Sequence, residues 1–280
     1  MSDLKKVVAL LLAVLITVMG MPVFASIEFD DRQDNDQRKE GDLSRGDEFI
    51  AEDNTEDTQD SEMLFASQGN ETQNNSRFFL DSYYSDILGK EMTFRVYLPE
   101  GYYESKQSYP SVYLLHENNK SSEQFEEDKI DEKLDTWVNE GIIQKMIVIM
   151  PDTDKDSWFA DKYKDTIVEE LVKFIDGKYR TIPDPRYRGI SGVGMGGHGA
   201  YMIGLQHPEA FTSIASHMGD LGTQNNLGQK PIDKIKELGR NGLSNYSLYL
   251  DGGTDDPLTS AVDSTNDIHV YLRNQSVSHQ

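Results

Sequence analysis

The chain has 280 residues and carries 27 Lys and Arg against 49 Asp and Glu, a formal net charge of −22. That length suits one sizeable domain with extra segments or two small ones, and so acidic a surface repels phosphate backbones, which argues against nucleic-acid binding. With no cysteine, disulfides, thiolate nucleophiles, cysteine-ligated zinc and iron–sulfur clusters are excluded.

Lys5 and Lys6 precede an uninterrupted apolar run from Val7 to Met19, followed by Gly20, Pro22 and the small-residue stretch Val23-Phe24-Ala25-Ser26. A basic start, a short apolar core and an Ala-terminated site predict a secretory signal over residues 1–25. The run is shorter than the ~20 residues a membrane helix needs, so no stable membrane span is expected once the signal is cleaved. The alternative is an uncleaved N-terminal anchor. Both place the rest of the chain outside the cytoplasm, and a secreted location is expected.

Residues 26–76 are rich in Asp, Glu, Asn, Gln and Ser, with Phe29, Phe49, Ile50, Leu64 and Phe65 scattered without period. Such a composition buries too little apolar area to offset chain entropy, which predicts a disordered acidic linker. A calcium-binding role for the segment is the competing reading.

The globular part is expected over residues 77–280. Met92–Leu98 alternates and ends at Pro99, as a strand does. Ser111–His116 and Met146–Met150 are short, nearly continuous apolar runs, the mark of buried parallel strands. Ile130–Gly141 has helical spacing through Leu134, Trp137 and Val138, and Thr166–Tyr179 has it through Ile167, Leu171, Phe174 and Ile175. Arg188–Val193 reads as a strand and His198–His207 as the helix after it. Ser213–Ser216 and Ser247–Leu250 read as further strands, Ile232–Leu238 and Thr259–Arg273 as further helices. Strands alternating with helices predict an α/β fold: a mostly parallel sheet with helices on both faces.

The most informative stretch is Arg188-Gly-Ile-Ser-Gly-Val-Gly-Met-Gly-Gly-His-Gly-Ala200. A strand runs straight into a helix through glycines, as in a nucleophile elbow of pattern G-x-S-x-G, where a serine stands at the helix N-terminus. Here the pattern is Gly192-Val193-Gly194-Met195-Gly196, with glycine at the serine position. Gly192-x-Gly194-x-x-Gly197 also matches the dinucleotide fingerprint, but that normally follows the first strand of a βαβ unit, and here it follows at least three strands. A glycine-rich turn with no chemistry is the third reading.

These residues, in order, resemble the esterase family of α/β hydrolases that includes feruloyl, acetyl-xylan and tributyrin-type esterases. The resemblance is carried by Arg95-Val-Tyr-Leu-Pro-Glu-Gly-Tyr102, Tyr109-Pro-Ser-Val-Tyr-Leu-Leu-His116, Met146-Ile-Val-Ile-Met-Pro-Asp152, Glu170-Leu-Val-Lys-Phe-Ile-Asp-Gly-Lys-Tyr-Arg180 and the elbow with His207-Pro208. It implies an α/β-hydrolase fold and puts Gly194 at the nucleophile position. It puts Asp256 at the catalytic acid, with Asp255 the less favoured neighbour and capping of the helix near Thr259 the other explanation of that aspartate. The oxyanion donors fall on the Met195 amide and on position 117, where Glu117 replaces the family's glycine. The family's catalytic base lies beyond a further strand, so the last strand and helix are expected to be lacking, and none of His198, His207, His269 and His279 fits its place.

Asp152-Thr-Asp-Lys-Asp-Ser157 opens like a calcium loop but lacks the turn glycine, and Tyr163 stands where the bidentate glutamate belongs; it reads as an acidic loop. Trp158 and Phe159 within it are expected either to line a substrate cleft or to pack. No metal or organic cofactor is implied. The expected ligand is a small-molecule or carbohydrate ester. Loss of a triad nucleophile costs on the order of 10⁶ in kcat, so the expectation is an exported esterase scaffold with impaired or absent turnover. The alternatives are a pseudoenzyme that binds an ester or glycan, and a truncated product without function.

Overall fold

The computed structural model describes residues 77–253 and 259–280. The expected signal, the acidic linker and Asp256 with its neighbour Asp255 lie outside the described residues.

β1 (Phe78–Ser85) and β2 (Lys90–Tyr97) form an antiparallel hairpin. β3 (Ser111–Leu115) and β4 (Ile147–Pro151) are buried at every residue, as their continuous apolar runs predict, and β5 (Arg188–Val193) is buried throughout as well. β6 (Ser213–His217) and β7 (Ser247–Asp251) follow. All seven join one sheet in the order β1-β2-β4-β3-β5-β6-β7. β2 meets β4 antiparallel, and every pair from β4 to β7 is parallel. β1 was not anticipated from the sequence. Its residues are mostly half-buried at a sheet edge, so no clean apolar–polar alternation is imposed on them.

The helices are α1 (Glu123–Glu127), α2 (Ile130–Asn139), α3 (Lys162–Asp165), α4 (Val172–Lys178), α5 (Met195–Gln206), α6 (Pro231–Leu243) and α7 (Thr259–Asn274). A π-helical stretch, Thr166–Leu171, joins α3 to α4. It carries Glu170, which accepts from Ser85 Oγ at 2.5 Å and from the Ile87 amide at 3.0 Å and so holds the β1–β2 turn. Alternate side chains of β3 enter two cores. Tyr113 and Leu115 pack with Ile167 and Ile175, on the face that also takes Tyr201, Ile235 and Ile268. Val112 and Leu114 pack with Phe125, Leu134 and Trp137 from α1 and α2. Period-two alternation places helices on both sheet faces.

Beyond α7 the chain returns to the sheet. Gln280 donates to the Leu248 carbonyl at 3.1 Å, the Leu250 amide donates to the Gln280 carbonyl at 2.9 Å, and His279 bridges Leu248 in parallel. His279 and Gln280 thus lie beside β7. Among the described residues no helix is long and apolar enough to cross a membrane.

At the start of β5, Arg188 is 4% exposed and pairs with Asp176 at 2.5 Å while donating to the Ala210 carbonyl at 3.0 Å. Asp176 also accepts from Thr181 Oγ1 at 2.6 Å. Removing one partner of such a pair leaves a buried charge without its counter-ion. Asp176→Ala is expected to cost about 3–5 kcal/mol, read as a lowered urea midpoint at unchanged m-value.

Candidate active site at the strand-to-helix turn

The sheet order sets where a ligand can sit. From β3 the chain crosses to β4 on one side, and β5 lies on the other side of β3. The carboxyl ends of β3 and β5 therefore flank the point where the strand order reverses, the crevice in which open α/β sheets bind ligands. The β5–α5 turn stands at this crevice.

Gly194 forms the tip of that turn with φ 55° and ψ −116°, a backbone conformation that L side chains rarely adopt. Its amide donates to the His217 carbonyl at 2.9 Å, and its carbonyl accepts from the His198 amide at 3.1 Å, starting α5. The turn is tight because three backbones meet without side chains between them. A Cβ on Gly192 would lie 2.2 Å from the Gly196 carbonyl carbon, and one on Gly196 would lie 2.3 Å from the Leu115 carbonyl oxygen. Gly194 is different: the nearest atom to a Cβ there is Glu117 Cγ, at 3.8 Å.

Met195 opens α5, so its amide is one of the N–H groups that helix geometry leaves without an intrahelical acceptor. The helix dipole favours negative charge at that point. The Glu117 amide, expected as the second oxyanion donor, is instead committed to Gln124 Oε1 at 3.0 Å. That corrects the expectation for position 117. α1 carries Gln124 back over the end of β3, a contact local sequence does not reveal.

The loop after β4 frames the same end of the sheet. Trp158 and Phe159 are consecutive non-glycine residues with φ of 52° and 50°, a conformation that costs about 1–2 kcal/mol per residue. The loop holds it through the Trp158 amide on Met195 Sδ at 3.3 Å, the Phe159 amide on Ser157 Oγ at 3.1 Å, and Ser157 Oγ against Thr153 Oγ1 at 2.8 Å. Phe159 is 1% exposed, against the edge of Gly199 and 5.0 Å from the His116 ring. It is a packing residue, which corrects its placement in a cleft wall. Trp158 is half-buried, edge-on to His198 at 5.0 Å. The three aspartates of the loop face different partners: Asp152 accepts from the Ser122 amide and Thr93, Asp154 pairs with Lys90, and Asp156 accepts from Asn118.

Two histidines here are held neutral. His116 donates from Nδ1 to the Glu117 carbonyl at 2.8 Å and takes Thr153 Oγ1 at Nε2 at 3.0 Å; burial lowers its pKa below 6.5. His198 donates from Nδ1 to the Asp220 carbonyl at 2.9 Å, and burial lowers its pKa as well. Sequence reasoning missed a further pair. His217, at the end of β6, donates from Nδ1 to Asp251 Oδ2 at 2.7 Å across to the end of β7. Asp251 also accepts from the Met218 amide and from Tyr249. The signal was a histidine and an aspartate each closing a strand, but pairing them requires the register. A recess of about 460 Å³ lies elsewhere, around Arg77, Tyr97 and Asp135, away from the crevice and filled with charge pairs.

The model of the family described as "Putative esterase" matches residues 85–280. The chain belongs to this esterase family. Among curated relatives, an endo-1,4-beta-xylanase/feruloyl esterase of Xylanibacter ruminicola is 29% identical over 143 residues, 46% of this chain and 20% of the relative. An esterase of Mycobacterium tuberculosis is 23% identical over 170 residues, 56% of this chain and 35% of the relative. The chain thus spans between a fifth and about a third of these relatives' lengths. Among solved structures, a ferulic acid esterase superposes with TM-score 0.65 at 23% identity, covering 72% of this chain and 87% of the other. A ferulic acid esterase of the fungus Anaeromyces mucronatus gives 0.58 at 17%, covering 74% and 83%. These likenesses establish the α/β-hydrolase fold; the activity of this esterase-family chain is argued next.

Proposed function

We propose that this chain is an exported esterase-fold protein that holds an acyl ester at the Gly194 turn and is closed to the serine acyl-enzyme route. The observation that carries the reading is the side-chain-free tip of the turn, at the crevice where the strand order reverses. The helix N-terminus and the Met195 amide remain to receive a carbonyl oxygen. The hydroxyl that would attack it has no counterpart at position 194. Esters of plant-wall hydroxycinnamates are the favoured ligand class, because relatives in both comparisons are named feruloyl or ferulic acid esterases. Binding without turnover, as in a pseudoenzyme, is the limiting form of the same reading. Export is supported by residues 1–25 alone.

Ferulic acid and methyl ferulate are the probes. Calorimetric titration is expected to detect binding of both, and a fluorophosphonate is expected to leave the intact mass unchanged. Stoichiometric labelling would show an activated hydroxyl elsewhere in the site and overturn the reading. Amino-terminal sequencing of protein recovered from the medium is expected to begin at Ser26; recovery of the whole chain with Lys5 and Lys6 intact would refute cleavage.

A further inference from the structure

We propose that His269 and His279 form a two-histidine site for Cu²⁺ that clasps residues 275–280 to α7. The site does not depend on the ester-binding reading above. His269 is exposed on α7. After that helix the chain turns at Ser276, whose φ is 55°, and the Val277 amide donates to the Leu272 carbonyl at 2.9 Å. Val277 packs into the core. His279 is then held in place by the sheet. It bridges Leu248 near the start of β7, and Gln280 exchanges backbone hydrogen bonds with Leu248 and Leu250. The two rings meet across this gap. His279 Nε2 lies 2.9 Å from His269 Nδ1, and the ring planes cross at 65°.

The partners fix the tautomer. A carbonyl only accepts, so His279 Nδ1 carries the hydrogen that it donates to Val277 at 2.8 Å. In the neutral ring Nε2 is then a lone pair, and it is aimed at His269. A ring N–H anchored on a backbone carbonyl is what orients a metal-ligating histidine and raises the basicity of its other nitrogen. The spacing selects the ion. With metal–nitrogen bonds of ~2.0–2.1 Å, a right angle at the metal puts two nitrogens ~2.9 Å apart, and a tetrahedral angle ~3.3 Å. The 2.9 Å found here matches neighbouring corners of a tetragonal ion. Cu²⁺ has that preference and stands at the top of the divalent affinity order for such ligands. On binding, the His269 proton moves from Nδ1 to Nε2 on the exposed ring, and Nδ1 turns its lone pair to the ion. Both rings stay neutral, and one hydrogen bond gives way to two Cu–N bonds. Among the described residues no third His, Asp or Glu joins the pair, so water completes the coordination.

Calorimetric titration of Cu²⁺ into the whole chain is expected to show one site that outranks all others, with Zn²⁺ weaker and Mg²⁺ without effect. Loss of even an outer-shell partner costs about 10–100-fold in metal affinity, so His269→Ala and His279→Ala are each expected to cost at least that. His207→Ala, a histidine paired with Glu209 at the end of α5, is expected to leave the affinity unchanged. Electron paramagnetic resonance of the one-to-one complex is expected to show two coupled imidazole nitrogens. The Leu250 amide, which donates to the Gln280 carbonyl at 2.9 Å, is expected to exchange its hydrogen more slowly with Cu²⁺ present in wild type, and at an unchanged rate in His269→Ala. Because His269 is exposed, His269→Ala is expected to keep the melting temperature of the metal-free chain, which separates lost ligation from lost folding. Equal Cu²⁺ affinity in wild type and both variants overturns the proposal. A spectrum without imidazole nitrogens, or an equal loss in His207→Ala, overturns it too.

Discussion

Gly196→Ala is expected to prevent the chain from reaching its native fold. Its Cβ would lie 2.3 Å from the Leu115 carbonyl oxygen, 2.6 Å from the carbonyl carbon and 2.7 Å from the His116 carbonyl oxygen. All three atoms are backbone of β3 and its exit, so no side-chain rotation relieves the overlap. Either α5 lifts from the sheet or β3 breaks its pairing with β5. Ordinary overpacking costs about 1–3 kcal/mol; forcing two backbones apart at a sheet centre is expected to exceed that range and use up much of the ~5–15 kcal/mol that holds a domain folded. Gly194→Ala supplies the contrast. Among the described residues beyond its chain neighbours it meets Glu117 Cγ at 3.8 Å, and its penalty is the positive φ, about 1–2 kcal/mol. Urea unfolding followed by circular dichroism separates the two: a modest midpoint shift for Gly194→Ala, and no cooperative native baseline for Gly196→Ala. Equal, small shifts in both would contradict the close approach of α5 to β3.

Acidification below pH 6.5 is expected to destabilise the fold well before the carboxylates titrate. His116 and His198 are buried, and burial lowers the pKa of each from 6.5. The unfolded chain then binds protons below pH 6.5 that the native chain does not, so stability rises with pH in that window. Their contribution is whole above pH 6.5 and is lost as pH falls toward the native pKa values. Each such histidine gives a slope of about 1.4 kcal/mol per pH unit, and the two together about double that. The carboxylates of Asp81 and Asp135, lowered from 3.8 against opposing burial by their Lys178 and Arg77 partners, act in a separate window, below pH 3.8. Urea midpoints measured from pH 8 to pH 5 test this, and His198→Phe is expected to halve the slope. A flat profile down to pH 5 would mean that both rings accept protons in the native state. Since both flank the crevice, the same protons would disturb the site.

The fold was legible where one residue pattern admits one structure. Runs such as Val112–Leu115 and Ile147–Met150 are too short for helices and too apolar for a surface, so they read as buried strands, and they are. The strand at Arg188–Val193 and the turn after it announced themselves because consecutive glycines between a strand and a helix have few other uses. β1 was not legible: at a sheet edge its side chains are mostly half-buried, and no strong period survives. Nor was the helix start at Met195, three residues before the expected position, since glycines carry no helical signal of their own.

Composition and order along the chain were enough to assign the α/β class and to point to a strand-to-helix turn with glycine at its tip. Both follow from short-range physics, namely apolar periodicity and the backbone freedom of glycine. Register was left to the tertiary structure. Only parallel pairing brings Glu117 beside Gly194 and joins His217 to Asp251, 34 residues apart. Only packing turns Phe159 inward and commits the Glu117 amide to Gln124. Such contacts arise between segments distant along the chain, and their partners are chosen by how sheet and helices close on one core.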